Sequence, residues 1–142
     1  MPKTVILGAA RTPFGKLGGG LASLDATELG GRAMAAALER AEVAPEQIQH
    51  VSYGQVLQAG QGQIPSRQAQ VKAGIPKEVS SETINKVCAS GIRSVGMIDQ
   101  SIGLATSTSP SQAGWSRCRG RRISSRMLGS ATGWATRRRS TR

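Results

Sequence analysis

The residue in this chain best suited to covalent chemistry is Cys88, which stands between a strand-like and a helix-like stretch. The residues before it are rich in β-branched side chains, and aliphatic residues recur after it at helical spacing. They are Val79, Thr83, Ile84 and Val87 before it, and Ile92, Val95, Ile98 and Ile102 after it. The pattern therefore predicts that Cys88 lies at a helix N-terminus, where unpaired N–H groups and the helix dipole favour the nucleophilic thiolate. A buried structural cysteine is the alternative that position alone leaves open.

Two strings of residues are more specific than the cysteine itself. Residues 85–91 read Asn-Lys-Val-Cys-Ala-Ser-Gly, and residues 8–16 read Gly-Ala-Ala-Arg-Thr-Pro-Phe-Gly-Lys. Taken together and in this order, they closely resemble the thiolase family, the acetyl-CoA C-acyltransferases. The resemblance runs through residues 3–102 and then stops.

The resemblance implies both a reaction and a fold. In that family the reactive cysteine, here Cys88, takes an acyl group from acyl-CoA, and acetyl-CoA then attacks the thioester to form a 3-ketoacyl-CoA. Thiolytic cleavage is the reverse reaction, and the sequence leaves the biosynthetic or degradative direction and the chain length open. Coenzyme A thioesters are thus the implied substrates, with no bound cofactor and no metal. A dimer or tetramer and a role in fatty acid metabolism are implied as well.

Of the family's reactive residues, only the acyl-accepting cysteine has a matching position in this chain, Cys88. The histidines, the second cysteine and the CoA-binding loops of the family lie in a C-terminal half that has no counterpart here. His50 and Cys118 do not match the family's contexts for a catalytic histidine and a second cysteine. The residues that bind CoA stay unassigned, and we expect the chain as given to be inactive.

Composition divides the chain at about the place where the resemblance stops. Residues 1–102 hold ten Lys and Arg against all eight Asp and Glu, whereas residues 103–142 hold nine Arg and no acidic residue. A soluble domain normally mixes both charge signs on its surface. Two interpretations follow: an Arg-rich nucleic-acid-binding arm that uses Arg137, Arg138 and Arg139 on phosphates, or a stretch that is not native protein.

A shifted reading frame favours the second interpretation. Trp115 must be encoded by TGG, so joining its last base to the first two of a Ser116 codon gives GAG, glutamate. In that frame residues 113–119 can read Gly-Gly-Met-Glu-Ser-Met-Ser, and the codons from 102 to 113 can give an alternating strand, Asp-Val-Asp-Val-Ala-Val-Ala-Gly. These strings resemble what a thiolase carries next. We therefore predict that residues 103–142 are a disordered tail translated out of frame, and that they bind no nucleic acid.

The elements before that point alternate between strand and helix. We predict strands at residues 4–7, 48–57 and 77–84, with Val51, Tyr53 and Val56 facing inward on the second. A helix opened by Asp25 and Glu28 extends to about Arg40, and Pro65 and Gly74 bound the next helix. The order βαβαβα is typical of an α/β fold with a largely parallel sheet, here an incomplete thiolase-like N-terminal domain over residues 1–102.

Other candidate sites are weaker. Six residues lie between Gly8 and Gly15 where a phosphate-binding loop has four between its glycines, and Leu17 replaces its Ser or Thr. Arg11 is interpreted as an ion-pairing loop residue, and His50 as a solvated or hydrogen-bonded strand-edge residue rather than a base. The apolar run at residues 4–7 is too short to span a membrane or to act as a signal segment, which favours a cytoplasmic protein.

Overall fold

The computed structural model describes residues 4–107, 126–129 and 134–138. These residues form five strands and three α-helices, with a short 3₁₀ turn at Pro45–Gln47 between the first helix and the second strand. In chain order the elements are β1 (Thr4–Ala9), α1 (Ala26–Arg40), β2 (His50–Gly54), α2 (Pro65–Lys72), β3 (Ser80–Ile84), α3 (Ser90–Ser107), β4 (Arg126–Gly129) and β5 (Trp134–Arg138). The predicted order βαβαβα is confirmed for the first six.

The strands form one sheet in the order β1-β5-β4-β2-β3. Strand β2 pairs in parallel with β3 and with β4, whereas β5 is antiparallel to both β1 and β4. Four strands therefore run in one direction and β5 runs against them, which confirms an α/β fold with a largely parallel sheet. In an α/β sheet of this kind both faces are covered by helices.

The two faces of the sheet are covered by different helices. Helices α1 and α2 pack on each other and on one face, while α3 contacts β2, β3 and β4. Alternation along β2 sends Val51 and Tyr53 into the core beneath α1 and α2, as predicted, and turns Gly54 towards α3. The prediction for Val56 is wrong: β2 ends at Gly54, and Val56 lies on the surface in the loop that follows.

The first helix begins where its capping residue predicts. Asp25 Oδ1 accepts hydrogen bonds from the Glu28 backbone N–H at 2.6 Å and from Thr27 Oγ1 at 2.7 Å. Lys72 Nζ, at the end of α2, lies 3.1 Å from the same oxygen and ties the two helices together. These hydrogen bonds, with that of Thr27 the strongest influence, lower the pKa of Asp25 from 3.8 to about 2. The Asp25 carboxylate is thus both a helix cap and a link between helices.

The segment for which the sequence predicts disorder contains regular structure at three places. Helix α3 continues past Ile102 to Ser107, and residues 126–129 and 134–138 form β4 and β5. A physical reason is that without β4 and β5 the facing edges of β1 and β2 would be unpaired, and a strand edge recruits backbone from any segment that can reach it. The other residues of that segment, with Trp115 and Cys118, lie outside the described residues.

Candidate active site

Cys88 lies in the short turn that connects β3 to α3. Strand β3 ends at Ile84, α3 begins at Ser90, and the cysteine is free and exposed to solvent. The predicted position at a helix start is confirmed, since Cys88 lies two residues before α3, and in the described structure the cysteine is not buried. The sulfur is therefore accessible to a reagent or substrate without any movement of the surrounding chain.

Two side chains hold this turn in shape. Ser90 Oγ accepts a hydrogen bond from the Lys86 backbone N–H at 2.8 Å and donates one to the Val87 carbonyl oxygen at 2.6 Å. Asn85 Oδ1 accepts from the Val87 N–H at 3.0 Å, and Asn85 Nδ2 donates to the Val56 carbonyl oxygen at 2.9 Å. The backbone just before Cys88 is therefore held by one side chain that precedes the cysteine, Asn85, and by one that follows it, Ser90.

The residue just before the cysteine has an unfavourable backbone conformation. Val87 has a φ of 49°, in the left-handed region that a β-branched side chain rarely adopts. Such a residue costs about 1–3 kcal/mol and persists only where its surroundings enforce it, most often at a functional site. Here the surroundings are the hydrogen bonds from Asn85 and Ser90, and the conformation turns the chain sharply enough for Cys88 to lie at the surface.

Strand β2 approaches the start of α3 so closely that it leaves no room for a side chain at its end. A Cβ atom on Gly54 would lie 2.7 Å from the Ser90 carbonyl carbon and 2.8 Å from the Gly91 nitrogen. Gly54 is fully buried, so the helix start rests directly on the strand backbone. The position of the first helical turn, and through it of Cys88, is set by this contact.

The inner and outer faces of α3 differ. Ser94, Ile98 and Ile102 are buried against the sheet, and Ser94 Oγ donates to the Ser90 carbonyl oxygen at 3.0 Å. On the outer face Ile92 is 74% exposed, and a Cβ added at Gly96 would have no neighbour within 4 Å. The helix therefore carries a small-residue and apolar surface on the side that faces away from the sheet.

The single histidine of the chain lies away from the cysteine. His50 begins β2, and its Nε2 is 3.2 Å from Glu82 Oε1 on the neighbouring strand. Gly54, which touches the start of α3, is four residues further along β2, roughly 13 Å at the usual rise per residue. His50 is thus a hydrogen-bonded strand residue, as the sequence predicts, and not a base for Cys88.

The loop between β1 and α1 differs from its prediction in one respect. Arg11 was expected to form an ion pair, but its guanidinium lies over the ring of Phe14, 4.5 Å from the ring centre. Phe14 and Leu17 are almost fully exposed on this loop. Among the described residues Arg11 makes this cation–π contact and none of the ion pairs found there.

Some kinds of site are absent from the part of the chain that the structure describes. Within residues 4–107, 126–129 and 134–138 no three His, Cys, Asp or Glu side chains lie together in a way that could hold a metal ion. None of the helices in those ranges is both long enough and apolar enough to cross a bilayer.

Sequence reasoning located Cys88, the candidate nucleophile, but not the residues that hold its turn in shape. Nothing in the type or the spacing of Asn85, Gly54 and Ser90 marks them as positioning residues. The left-handed φ of Val87 could not be predicted either, because valine usually occurs in strands. The available signal was the Ser-Gly pair two residues after Cys88, since Ser at a helix start commonly bonds local backbone groups. Together these residues hold the exposed Cys88 in the turn between β3 and α3.

Comparison with known proteins agrees with this geometry. A family model described as the thiolase N-terminal domain matches residues 4–109. The chain is similar to an acetyl-CoA acetyltransferase of Cupriavidus necator, 57% identical over 95 residues that cover 67% of this chain and 24% of the relative. It is also similar to acetyl-CoA acetyltransferase 2 of Arabidopsis thaliana, 54% identical over 99 residues that cover 70% of this chain and 25% of the relative.

A solved structure shares the fold. The crystal structure of Acat5 thiolase from Ascaris suum in complex with coenzyme A superposes with a TM-score of 0.70 at 34% identity, covering 83% of this chain and 33% of that one. The chain thus spans about a quarter of the length of the two curated relatives and a third of this structure.

Proposed function

Because this chain belongs to the thiolase family, we propose that it is the part of an acyl-CoA C-acyltransferase that carries the acyl-accepting cysteine, Cys88. In this proposal the Cys88 thiolate attacks the carbonyl carbon of an acyl-CoA. A new carbon–sulfur bond forms, the bond to the CoA sulfur breaks, and the CoA thiolate leaves and takes up a proton. The carbanion of acetyl-CoA then attacks the acyl-cysteine, which releases a 3-ketoacyl-CoA and restores the thiolate.

One observation supports this proposal above all others, the exposed sulfur on a strained turn at a helix start. Next to Cys88 the N–H groups of Ala89 and Ser90 already donate to the Lys86 and Val87 carbonyl oxygens, and the N–H groups that follow them at the start of α3 carry partial positive charge. Such groups stabilise negative charge both on a sulfur and on the carbonyl oxygen that is attacked. Cys88 is therefore placed where attack on a thioester is favoured.

The proposal assigns only the first half-reaction to the described residues. Removing a proton from the methyl carbon of acetyl-CoA requires a base, and His50, the only histidine, is held by Glu82 at the other end of β2. We therefore expect the isolated chain to accept an acyl group once and to show no turnover. The complete protein is proposed to be a cytoplasmic dimer or tetramer that acts on acyl-CoA, without nucleic acid, membrane or metal.

Intact-mass measurement after incubation with acetyl-CoA tests the assignment. The expected result is a gain of one acetyl group on the wild-type chain, none on Cys88→Ser, and an unchanged gain on the matched control Cys118→Ser. An acetyl group that persists on Cys88→Ser would place the acceptor elsewhere. Steady turnover of acetoacetyl-CoA with CoA by the chain alone would contradict the proposed inactivity.

The proposal extends to the second part of the chain. Residues from about Gly103 onward are proposed to be an out-of-frame translation, supported by the absence of acidic residues after Asp99 and by the thiolase-like strings in the shifted frame. Resequencing the gene around the Ile102 codon tests this, with a one-base difference as the expected result. If the sequence is unchanged and the chain binds nucleic acid with a steep salt dependence, the Arg-rich arm is the correct interpretation.

A further inference from the structure

We infer that Ser90 is a positioning residue for Cys88, and that its hydroxyl group fixes the direction in which the sulfur points. The inference rests on the proposed role of Cys88 as the acyl acceptor. It adds a residue that touches no substrate and acts only through the backbone on either side of the cysteine.

The contacts of the Ser90 hydroxyl carry the inference. The side chain is only 3% exposed, and its oxygen both accepts from the Lys86 N–H and donates to the Val87 carbonyl oxygen. Both partners precede Cys88, whereas Ser90 follows it as the first residue of α3. The hydroxyl thus adds two hydrogen bonds to the loop of backbone around the cysteine, which the Ala89 N–H to Lys86 carbonyl and Ser90 N–H to Val87 carbonyl bonds also close.

The strained backbone of Val87 explains why the hydrogen bonds of the Ser90 hydroxyl matter. Val87 is held in the left-handed region by three hydrogen bonds: Asn85 Oδ1 accepts from its N–H, and its carbonyl oxygen accepts from both the hydroxyl and the backbone N–H of Ser90. Without the hydroxyl, the Val87 carbonyl keeps only the longer bond from the Ser90 N–H, at 3.1 Å, and the peptide that joins Val87 to Cys88 is less restrained against rotation towards a common conformation. Rotation of that peptide changes the direction of the Cα–Cβ bond of Cys88 and moves the sulfur relative to the N–H groups of the helix start.

The packing beneath Ser90 explains why this residue and not a neighbour has the role. Gly54 lies against the Ser90 backbone and Cβ, so Ser90 cannot shift towards the sheet. Ser94, one turn further along the helix, is also buried, but its hydroxyl donates only to the Ser90 carbonyl oxygen, within the helix. Ser94 is therefore a matched control: a buried serine on the same face without a contact to the turn.

A small acetyl thioester that lacks the CoA nucleotide, S-acetyl-N-acetylcysteamine, is the appropriate probe, because its reaction needs no CoA site. The Cys88 thiolate attacks its carbonyl carbon, the acetyl group moves to sulfur, and N-acetylcysteamine leaves as a thiolate that takes up a proton. The measurement is the rate of acetyl transfer to the full chain in a Cys118→Ser background, where Cys88 is the only thiol. Alkylation by iodoacetamide, which develops no oxyanion, is measured in parallel.

Three variants then separate positioning from a general effect on the fold. Ser90→Ala is expected to slow acetyl transfer roughly tenfold or more, and iodoacetamide alkylation by much less, because misplacement of about 1 Å affects a reaction that needs aligned donors far more. Ser90→Thr keeps the hydroxyl and is expected to restore acetyl transfer, and Ser94→Ala is expected to leave both rates near the wild-type values.

Equal acetyl transfer by Ser90→Ala and wild type would overturn the inference. So would equal losses in Ser90→Ala and Ser94→Ala without recovery in Ser90→Thr, since that pattern is a structural effect. If Ser90→Ala does not fold, amide hydrogen exchange of the wild-type chain decides, because slow exchange is expected of the Lys86 N–H and fast exchange would contradict its bond to Ser90. None of these measurements uses acetyl-CoA. A failure of acetyl-CoA to acetylate the chain would therefore count against the proposed function and not against the role of Ser90.

Discussion

The contact between Gly54 and the start of α3 makes a sharp prediction about both stability and reactivity. The substitution Gly54→Ala adds one methyl group at a position where three atoms of Ser90 and Gly91 lie within 2.7–2.8 Å. Two of these are backbone atoms, which cannot turn aside as the end of a flexible side chain can. Ala is otherwise more favourable than Gly within a strand, so steric overlap is the only adverse effect expected of the change.

The size of the effect follows from the distances. Ordinary van der Waals contact begins at about 3.4 Å, so the start of α3 has to retreat from β2 by about 0.7 Å to admit the new methyl group. Overpacking of this kind in a close-packed interior costs about 1–3 kcal/mol. The same displacement moves Ser90 and with it the turn that holds Cys88, so acetyl transfer from a thioester is expected to slow as well.

Urea denaturation followed by circular dichroism measures the first effect, and the rate of acetyl transfer to Cys88 measures the second. Gly30→Ala is a graded control, because its Cβ would meet the Ala69 Cβ at 3.2 Å, and both that methyl group and the nearby Tyr53 ring belong to side chains. Gly54→Ala should be the more damaging of the two. Wild-type stability together with a wild-type rate of acetyl transfer in Gly54→Ala would refute the argument that this contact positions the site.

Three further substitutions test separate parts of the fold. Asp25 has a pKa lowered to about 2, so its contribution to stability is complete above pH 3.8 and is lost as the pH falls towards 2; acid titration of the unfolding midpoint should show this loss in the wild type and not in Asp25→Asn. Burial raises the pKa of Tyr53 above its usual 10.0, so stability should fall as the pH rises past 10, and Tyr53→Phe should abolish that fall in alkaline urea titrations. Gly96 has open space around its Cα, so Gly96→Ala should raise the free energy of unfolding by about 0.5–1 kcal/mol in the same assay, whereas a loss would show that the outer face of α3 is covered.

The features that could be predicted from the sequence are those set by local pattern. Asp25 caps α1 because its side chain reaches an N–H three residues ahead, and Pro65 begins α2 because its fixed φ suits a first helical position. The position of Cys88 at a helix start followed from a change of periodicity at that residue. Each of these inferences needs only neighbours along the chain.

The features that could not be predicted depend on distant contacts. Strands β1 and β2 are separated in the sheet by β4 and β5, and no pattern in the first hundred residues indicates that two strand positions lie between them. Val56 continues an apolar alternation but falls beyond the last residue of β2, where Gly54 meets α3. The role of Ser90 depends on the backbone angle of Val87, which its neighbours impose against its own preference.

The difference between local and distant contacts also applies to the two half-reactions of the proposed function. Every contact that orients Cys88 comes from residues 54–56 and 85–90, so the acyl-accepting geometry is built from a few short and neighbouring segments. Proton abstraction from acetyl-CoA would need a base near the sulfur, yet the one histidine, His50, is engaged by Glu82 and lies roughly 13 Å along β2 from Gly54, which touches the start of α3. We therefore expect acylation and turnover to be separable in this chain. A burst of one acetyl group per chain without subsequent ketoacyl-CoA formation is the kinetic signature that this arrangement predicts.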